Sequence, residues 1–161
     1  MTDTPNWVRI VREFDAPIET VWDMWTKADL FQKWYGPRGM SVPMAEMDVA
    51  VGGTRKICME MSTPDRTMQM WFTGVYSEIT PPTRLVYTES MCDADGVILS
   101  QESMGMPKGH PDVTEVIVDL VDLGGRTRMT MVHRGVPEGT AGEGGWNQAM
   151  DKLAEWLGAN S

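Results

Sequence analysis

The feature that most constrains the fold is a long succession of strand-like segments that leads into one amphipathic helix. Between Ser41 and Gly135, runs rich in β-branched and aromatic residues alternate with turns containing Gly, Pro and Asp. Strands joined by short turns are expected to be antiparallel, because parallel strands need long crossover connections. The predicted strands are Val42–Val49, Thr54–Ser62, Gln69–Ile79, Arg84–Met91, Val113–Leu123 and Thr127–Arg134.

The N-terminal segment predicts one further strand and two short helices. Trp7–Phe14 is a run of β-branched and aromatic residues that favours a strand. Pro17 is typical of a first helical turn, where its missing N–H is not needed. Thr26–Asp29 matches a capping box and predicts a second helix over Ala28–Trp34, which Gly36 then ends.

The C-terminal segment predicts one long helix with a single apolar face. A second capping-box match, Thr140–Glu143, marks its start, and the helix is expected to end near Leu157. Trp146, Met150 and Leu153 recur with Leu157 at helical spacing. This stripe must be buried, and the sheet offers the large apolar surface against which it can pack. The chain is therefore predicted to be one α+β domain over residues 1–161.

Composition excludes several classes of partner. Acidic residues outnumber basic ones by 23 to 14, which gives a formal charge of −9 and argues against nucleic acids and anionic membranes. No apolar run approaches the length that spans a bilayer, and the N-terminus has no signal-peptide pattern. Cys58 and Cys92 are too few for a disulfide framework. A cytoplasmic protein is therefore expected.

A set of short motifs in a fixed order carries a family resemblance. The motifs are Phe14-Asp15-Ala16-Pro17, Val21-Trp22, Trp34-Tyr35-Gly36-Pro37, Gly52-Gly53, Arg84-Leu85-Val86-Tyr87 and Gly145-Trp146. With them the chain resembles the family named for homologues of the activator of the heat-shock-protein-90 ATPase, within the START-like, birch-pollen-allergen-like superfamily. The resemblance covers residues 7–157 and implies a helix-grip fold, in which a curved antiparallel sheet of about seven strands wraps around a long C-terminal helix.

The resemblance also implies a hydrophobic cavity between the sheet and the last helix. Members of the superfamily use it for lipids, polyketides or other apolar small molecules. Some relatives are cyclases or hydratases, and the family's namesake is a chaperone partner. Fold analogy alone does not choose among these activities.

Methionine and tryptophan are the first candidates for the cavity wall. The chain has 15 methionines, and thioethers adapt to apolar ligands of varied shape. The same side chains also fill irregular gaps in ordinary cores, so both interpretations stay open. Trp146 follows two glycines in the first turns of the last helix, where a ligand can approach the backbone closely.

Arg55 interrupts an apolar strand face. It is in phase with Ile57, Met59 and Met61, so it points inward if the alternation holds. A buried guanidinium needs a carboxylate partner or an anionic ligand group, and Glu89 is in phase with Tyr87 on another strand. The alternative places Arg55 in water at the frayed end of its strand.

His133 is the one histidine expected on the cavity face, since it is in phase with Met129 and Met131. It is a candidate general base or a hydrogen-bonded structural residue. Two histidines and two cysteines scattered along the chain do not form a zinc pattern. Phosphate-loop, dinucleotide and nucleophile-elbow motifs are missing too, so no metal, cofactor or catalytic residue is assigned.

Three hypotheses of function follow. The first is binding of a small apolar or amphipathic molecule, with an acidic group of the ligand facing Arg55. The second is a cyclase or hydratase that uses His133 with Glu89 or Tyr87, and the third is a chaperone-interacting module. A homodimer through edge strands is also open, and the segment Asp93–Pro111 has no assigned role. The candidate ligand-binding residues are Arg55, Ile57, Met59, Met61, Trp71, Tyr87, Glu89, Met129, Met131, His133, Trp146 and Met150.

Overall fold

The computed structural model describes residues 6–100 and 112–159, which form seven strands and three helices. Most of the predicted segment Asp93–Pro111, including His110, lies outside these ranges. In chain order the elements are β1 (Trp7–Phe14), α1 (Ile18–Thr26), α2 (Ala28–Phe31), β2 (Ser41–Met47), β3 (Thr54–Ser62), β4 (Thr67–Thr80), β5 (Arg84–Cys92), β6 (Thr114–Asp122), β7 (Thr127–Pro137) and α3 (Ala141–Ala159).

All seven strands belong to one curved antiparallel sheet, which confirms the predicted meander. The strand order is β1-β7-β6-β5-β4-β3-β2, so β1 closes one end by pairing with β7. In the β6–β7 hairpin, Gly124 and Gly125 have φ angles of 83° and 89°. Glycine adopts this left-handed region without strain, which is why the two-residue turn is made of glycine.

Helix α3 lies against the inner face of the sheet and buries the predicted apolar stripe. Trp146, Met150, Leu153 and Leu157 are all buried, together with Ala149. On the exposed side, the Arg12 guanidinium of β1 donates to the Asp151 carboxylate at 2.9 Å. Helix α3 therefore packs on the sheet through its apolar face, and the Arg12–Asp151 ion pair adds a contact with the edge strand β1.

Both predicted capping boxes need correction. The Thr26 hydroxyl donates to the carbonyl of Trp22, so it does not cap the following helix, and α2 ends at Phe31 rather than at Trp34. At α3 the Glu143 carboxylate accepts from the N–H of Gly139 instead of Thr140. The Thr140 hydroxyl likewise donates to the carbonyl of Pro137, so both threonines bond to preceding carbonyls, as Ser and Thr side chains often do.

Within residues 6–100 and 112–159, no helix is long and apolar enough to cross a membrane. The same ranges hold no group of three or more His, Cys, Asp and Glu side chains placed to bind a metal ion. Cys58 and Cys92 are buried free thiols, and burial raises the pKa of both.

A glycine at the β4–β5 contact generates the first prediction. A Cβ atom at Gly74 would lie 1.8 Å from the carbonyl oxygen of Thr88, so Gly74→Ala must force the two strands apart. We expect a loss of about 3 kcal/mol in the free energy of unfolding, measured by urea denaturation. Gly144→Ala is the control, because a Cβ atom at this position would meet open space. The substitution also removes a glycine from a helix, which favours the folded state. Equal urea midpoints for the two variants would contradict the close approach.

Candidate ligand-binding cavity

Two adjoining cavities lie between the inner face of the sheet and the N-terminal half of α3. Their volumes are about 360 Å³ and about 200 Å³. The larger one lies within the size range of small-molecule sites. The walls that both cavities share are Phe72, Glu89, His133, Val136, Ala141 and Gly142.

Each cavity has its own extension. The larger one runs along the ends of β5, β6 and β7, past Ser90, Thr114 and Asp112. The smaller one runs beneath α3 towards the end of α2, where Tyr35 and Trp146 form its walls. The rings of Tyr35 and Trp146 meet edge to face, with centroids 5.8 Å apart. The result is a cleft with apolar and aromatic walls and a few polar groups at its centre.

Glu89 is the buried charged group that this cleft presents. The Tyr35 hydroxyl donates to its Oε1 at 2.6 Å, and Nη1 of Arg55 lies 3.6 Å from the same oxygen. Its other oxygen, Oε2, lies 3.7 Å from Nε2 of His133. Burial and the neighbouring Glu89 carboxylate raise the pKa of Tyr35 well above its ordinary value. The hydroxyl therefore stays protonated and acts as the hydrogen-bond donor to Glu89.

Arg55 is paired with Glu89 but does not line either cavity, and three aromatic rings surround its guanidinium group. Its side chain is 1% exposed, and its guanidinium carbon lies 3.9 Å from the centre of the Tyr87 ring. The rings of Phe31 and Tyr76 lie 5.3 Å and 5.9 Å away. These cation–π contacts and the Glu89 carboxylate compensate for the desolvation of the charge.

The position of Arg55 decides between the two alternatives left by the sequence. The residue is buried and has Glu89 beside it, and it is not at a strand end in water. Arg55 is, however, not among the described residues that line either cavity. The cavity wall presents the carboxylate of the pair, and the acidic ligand group expected to face Arg55 stays a prediction.

His133 is held as a neutral imidazole. The indole N–H of Trp146 donates to its Nδ1 at 2.9 Å, so that nitrogen carries the lone pair. Nε2 then carries the proton and donates to the Thr114 hydroxyl at 2.8 Å, which in turn donates to the carbonyl of Glu89. Burial lowers the pKa of His133, and the Glu89 carboxylate partly opposes this shift. The lone pair that a general base would use is thus already engaged.

The remaining predicted residues fall into three groups. Met59 and Trp146 line the smaller cavity, whereas Met61 is half-buried at the end of β3. Trp71 is not among the described residues that line either cavity; it pairs with Cys58 in the sheet, and its ring lies under the ammonium group of Lys56. The deeper core holds Ile57, Tyr87, Met129, Met131 and Met150.

Several wall residues were missed by sequence reasoning. Phe72 is one position from Trp71, and the two-residue period that includes Gly74 and Tyr76 assigns Phe72 to the inner face. The two-residue period of β4 was therefore sufficient to identify Phe72 as a wall residue. Tyr35, Thr114 and Val136 reach the cleft through the packing of separate elements, for which the sequence carries no local signal.

Comparison with known proteins agrees with this fold. The family model described as Activator of Hsp90 ATPase homolog 1-like protein matches residues 15–158. The chain belongs to this family. No curated protein matches it. Since the match spans both the sheet and α3, the helix-grip arrangement expected from the sequence is confirmed.

Solved structures place this family member among bacterial proteins of the same fold. A protein from Chromobacterium violaceum is 26% identical with a TM-score of 0.73, over 96% of this chain and 98% of that one. The AHSA1 protein from Silicibacter pomeroyi is 21% identical with a TM-score of 0.74, over 95% and 98%. A Staphylococcus epidermidis protein is 21% identical with a TM-score of 0.76, over 99% and 94%.

The buried ion pair generates the second prediction. Arg55→Met or Glu89→Gln alone leaves an uncompensated group and is expected to reduce the free energy of unfolding by about 3–5 kcal/mol. The double variant should lose less than the sum of the two single losses, as a urea-based double-mutant cycle measures. Arg134→Met with Glu115→Gln is the matched exposed pair, with an expected coupling below about 1 kcal/mol. Equal couplings in the two cycles would contradict the role of burial.

The state of His133 generates the third prediction. Its folded pKa lies below the unfolded value of about 6.5, so the unfolded chain binds the proton first as the pH falls. Stability is therefore lost below about pH 6.5, by at most about 1.4 kcal/mol per pH unit from this group. We expect urea midpoints measured from about pH 7.5 to about pH 5 to fall more steeply for the wild type than for His133→Gln. Parallel profiles would show that His133 is not held neutral.

Proposed function

We propose that this protein binds a small apolar or amphipathic molecule in the cleft between the sheet and α3. The observation that carries the proposal is the pair of adjoining cavities with shared walls at the N-terminal half of α3. Phe72, Val136 and Trp146 supply apolar surface there. A concave apolar site with a small number of placed polar groups is the usual form of a small-molecule site.

The hydrogen bonds around His133 favour binding over catalysis in this cleft. A cyclase or hydratase of the type considered above needs a nitrogen that can accept a proton from the substrate. Here Nδ1 already accepts from Trp146, and Nε2 already donates to Thr114. His133 and Glu89 do face the same cleft, but their hydrogen bonds stabilise the cavity wall and leave no free base on the imidazole.

The location and assembly of the protein stay predictions. Two buried free thiols are compatible with a reducing compartment, and we infer the cytoplasm on that ground. A homodimer would use the edge strands β1 or β2. A chaperone partner, suggested by the family name alone, has no further support from the geometry of the cleft.

Binding of a neutral fluorescent probe tests the proposal. N-phenyl-1-naphthylamine becomes brightly fluorescent in apolar surroundings, so we expect saturable emission with one site per chain. Ala141→Phe places a ring into the walls of both cavities and should reduce the affinity by about tenfold or more. Ala154→Phe is the matched control on the exposed side of α3 and should bind like the wild type.

The outcomes of the probe experiment separate clearly. Saturable binding that Ala141→Phe abolishes and Ala154→Phe keeps would support the cleft as the site. If the wild type gave no saturable emission, or if both variants bound with wild-type affinity, the proposal would be wrong. Circular dichroism of each variant shows whether it has the folded structure that the comparison requires.

A further inference from the structure

The two oxygens of the Glu89 carboxylate have unequal surroundings. Oε1 accepts from the Tyr35 hydroxyl at 2.6 Å and faces Arg55. Oε2 accepts no hydrogen bond from the residues that the structure describes, and Glu89 lines both cavities. A carboxylate oxygen has room for at least one more donor. The cleft wall therefore presents a carboxylate oxygen to which none of the described residues donates.

The polar neighbours of this oxygen do not supply that donor. The proton on Nε2 of His133 goes to Thr114, although Oε2 is only 3.7 Å away. The Thr114 hydroxyl donates to the carbonyl of Glu89. The Ser90 hydroxyl in the larger cavity can donate or accept, so it does not distinguish between ligand types. None of the described residues around Oε2 fills this place, so a donor group of a ligand in the cleft can reach it.

The charges around the cleft disfavour an anionic ligand. A ligand carboxylate at this position would meet the Glu89 carboxylate directly, while Arg55 lies behind it on the side of Oε1. The N-terminus of α3 would attract an anion, but the Glu143 carboxylate already lies in its first turn and accepts from Gly139 at 3.0 Å. The net charge of −9 on the whole chain acts in the same direction.

A cationic ligand gains little from the same arrangement. Arg55 already compensates the Glu89 charge at 3.6 Å, so an ammonium group would add an excess positive charge to a neutral pair. It would also lose its hydration in an apolar cleft. An uncharged hydroxyl has neither penalty and can still donate to Oε2.

We infer that the ligand is an uncharged amphiphile, whose apolar body packs between Phe72, Val136 and Trp146 and whose O–H or neutral N–H group donates to Oε2 of Glu89. This inference rests on the proposed binding function and specifies the chemistry of its ligand. It reverses the expectation drawn from Arg55 in the sequence, because the cleft selects a donor and rejects an acid.

Displacement of N-phenyl-1-naphthylamine from the wild-type protein tests the inference without any substitution. The competitors are 1-octanol, octanoate and octylammonium, which share one apolar chain and differ in the head group. We expect 1-octanol to displace the probe at a concentration at least about tenfold lower than either charged competitor, since a hydrogen bond to a charged acceptor is of that size.

The outcomes distinguish the inference from the function on which it rests. If the probe binds and octanoate or octylammonium competes as well as 1-octanol, the inference is overturned and the binding function stands. If the probe does not bind at all, both fail. A clear preference for 1-octanol supports both.

Glu89→Gln provides a second measurement, because its amide offers a donor as well as an acceptor at the same place. The advantage of 1-octanol over octanoate should shrink to about twofold or less in this variant. Glu115→Gln is the matched control on β6, since Glu115 pairs with Arg134 outside the cleft. This variant should keep the full advantage of 1-octanol.

If Glu89→Gln does not fold, the double variant Arg55→Met/Glu89→Gln replaces it, because it removes both buried charges together. An unchanged preference in the variant used would overturn the role of Glu89.

Discussion

A permanent positive charge in the interior, on Arg55, is the constraint on which the arrangement of the cleft depends. A guanidinium cannot lose its proton in a protein, so burying it requires an opposite charge or a polarisable surround. The protein supplies both, with the Glu89 carboxylate on one side and the rings of Phe31, Tyr76 and Tyr87 around it. Glu89 is buried because Arg55 is, and the Tyr35 hydroxyl then has an acceptor at the end of α2.

The same carboxylate lies at the junction of the core with the cleft. One of its oxygens belongs to the ion pair and the residue also lines both cavities, so the group that stabilises the fold also contributes to the polarity of the cleft. Next to it, the bond from Trp146 to His133 joins α3 to β7 and fixes the imidazole as neutral. The chemistry of the cleft therefore results from hydrogen bonds that link α3 to β7, β7 to β6 and β6 to β5.

Much of the fold could be predicted from local pattern, whereas the site could be predicted only in part. The strands, the glycine hairpin and the apolar stripe of α3 follow from periodicity and turn chemistry, and these are local. The phase of β3 correctly turns Arg55 inward, and the phase of β5 supplies Glu89 as its partner. The alternation along β4 places Phe72 on the inner face, and Phe72 rather than Trp71 is among the described residues that line the cavities.

What the sequence determined by itself is which elements form, which strand positions share a face, and that Arg55 is in phase with the apolar residues of β3. Only the tertiary structure decided that Glu89 rather than Arg55 lines the cavity. It also decided that the indole N–H of Trp146 donates a hydrogen bond to Nδ1 of His133. These outcomes depend on distances between β3, β5, β7 and α3, which are far apart along the chain. Periodicity gives the direction of each side chain but not its depth, and the depth of Arg55 behind Glu89 decides which of the two a ligand can reach.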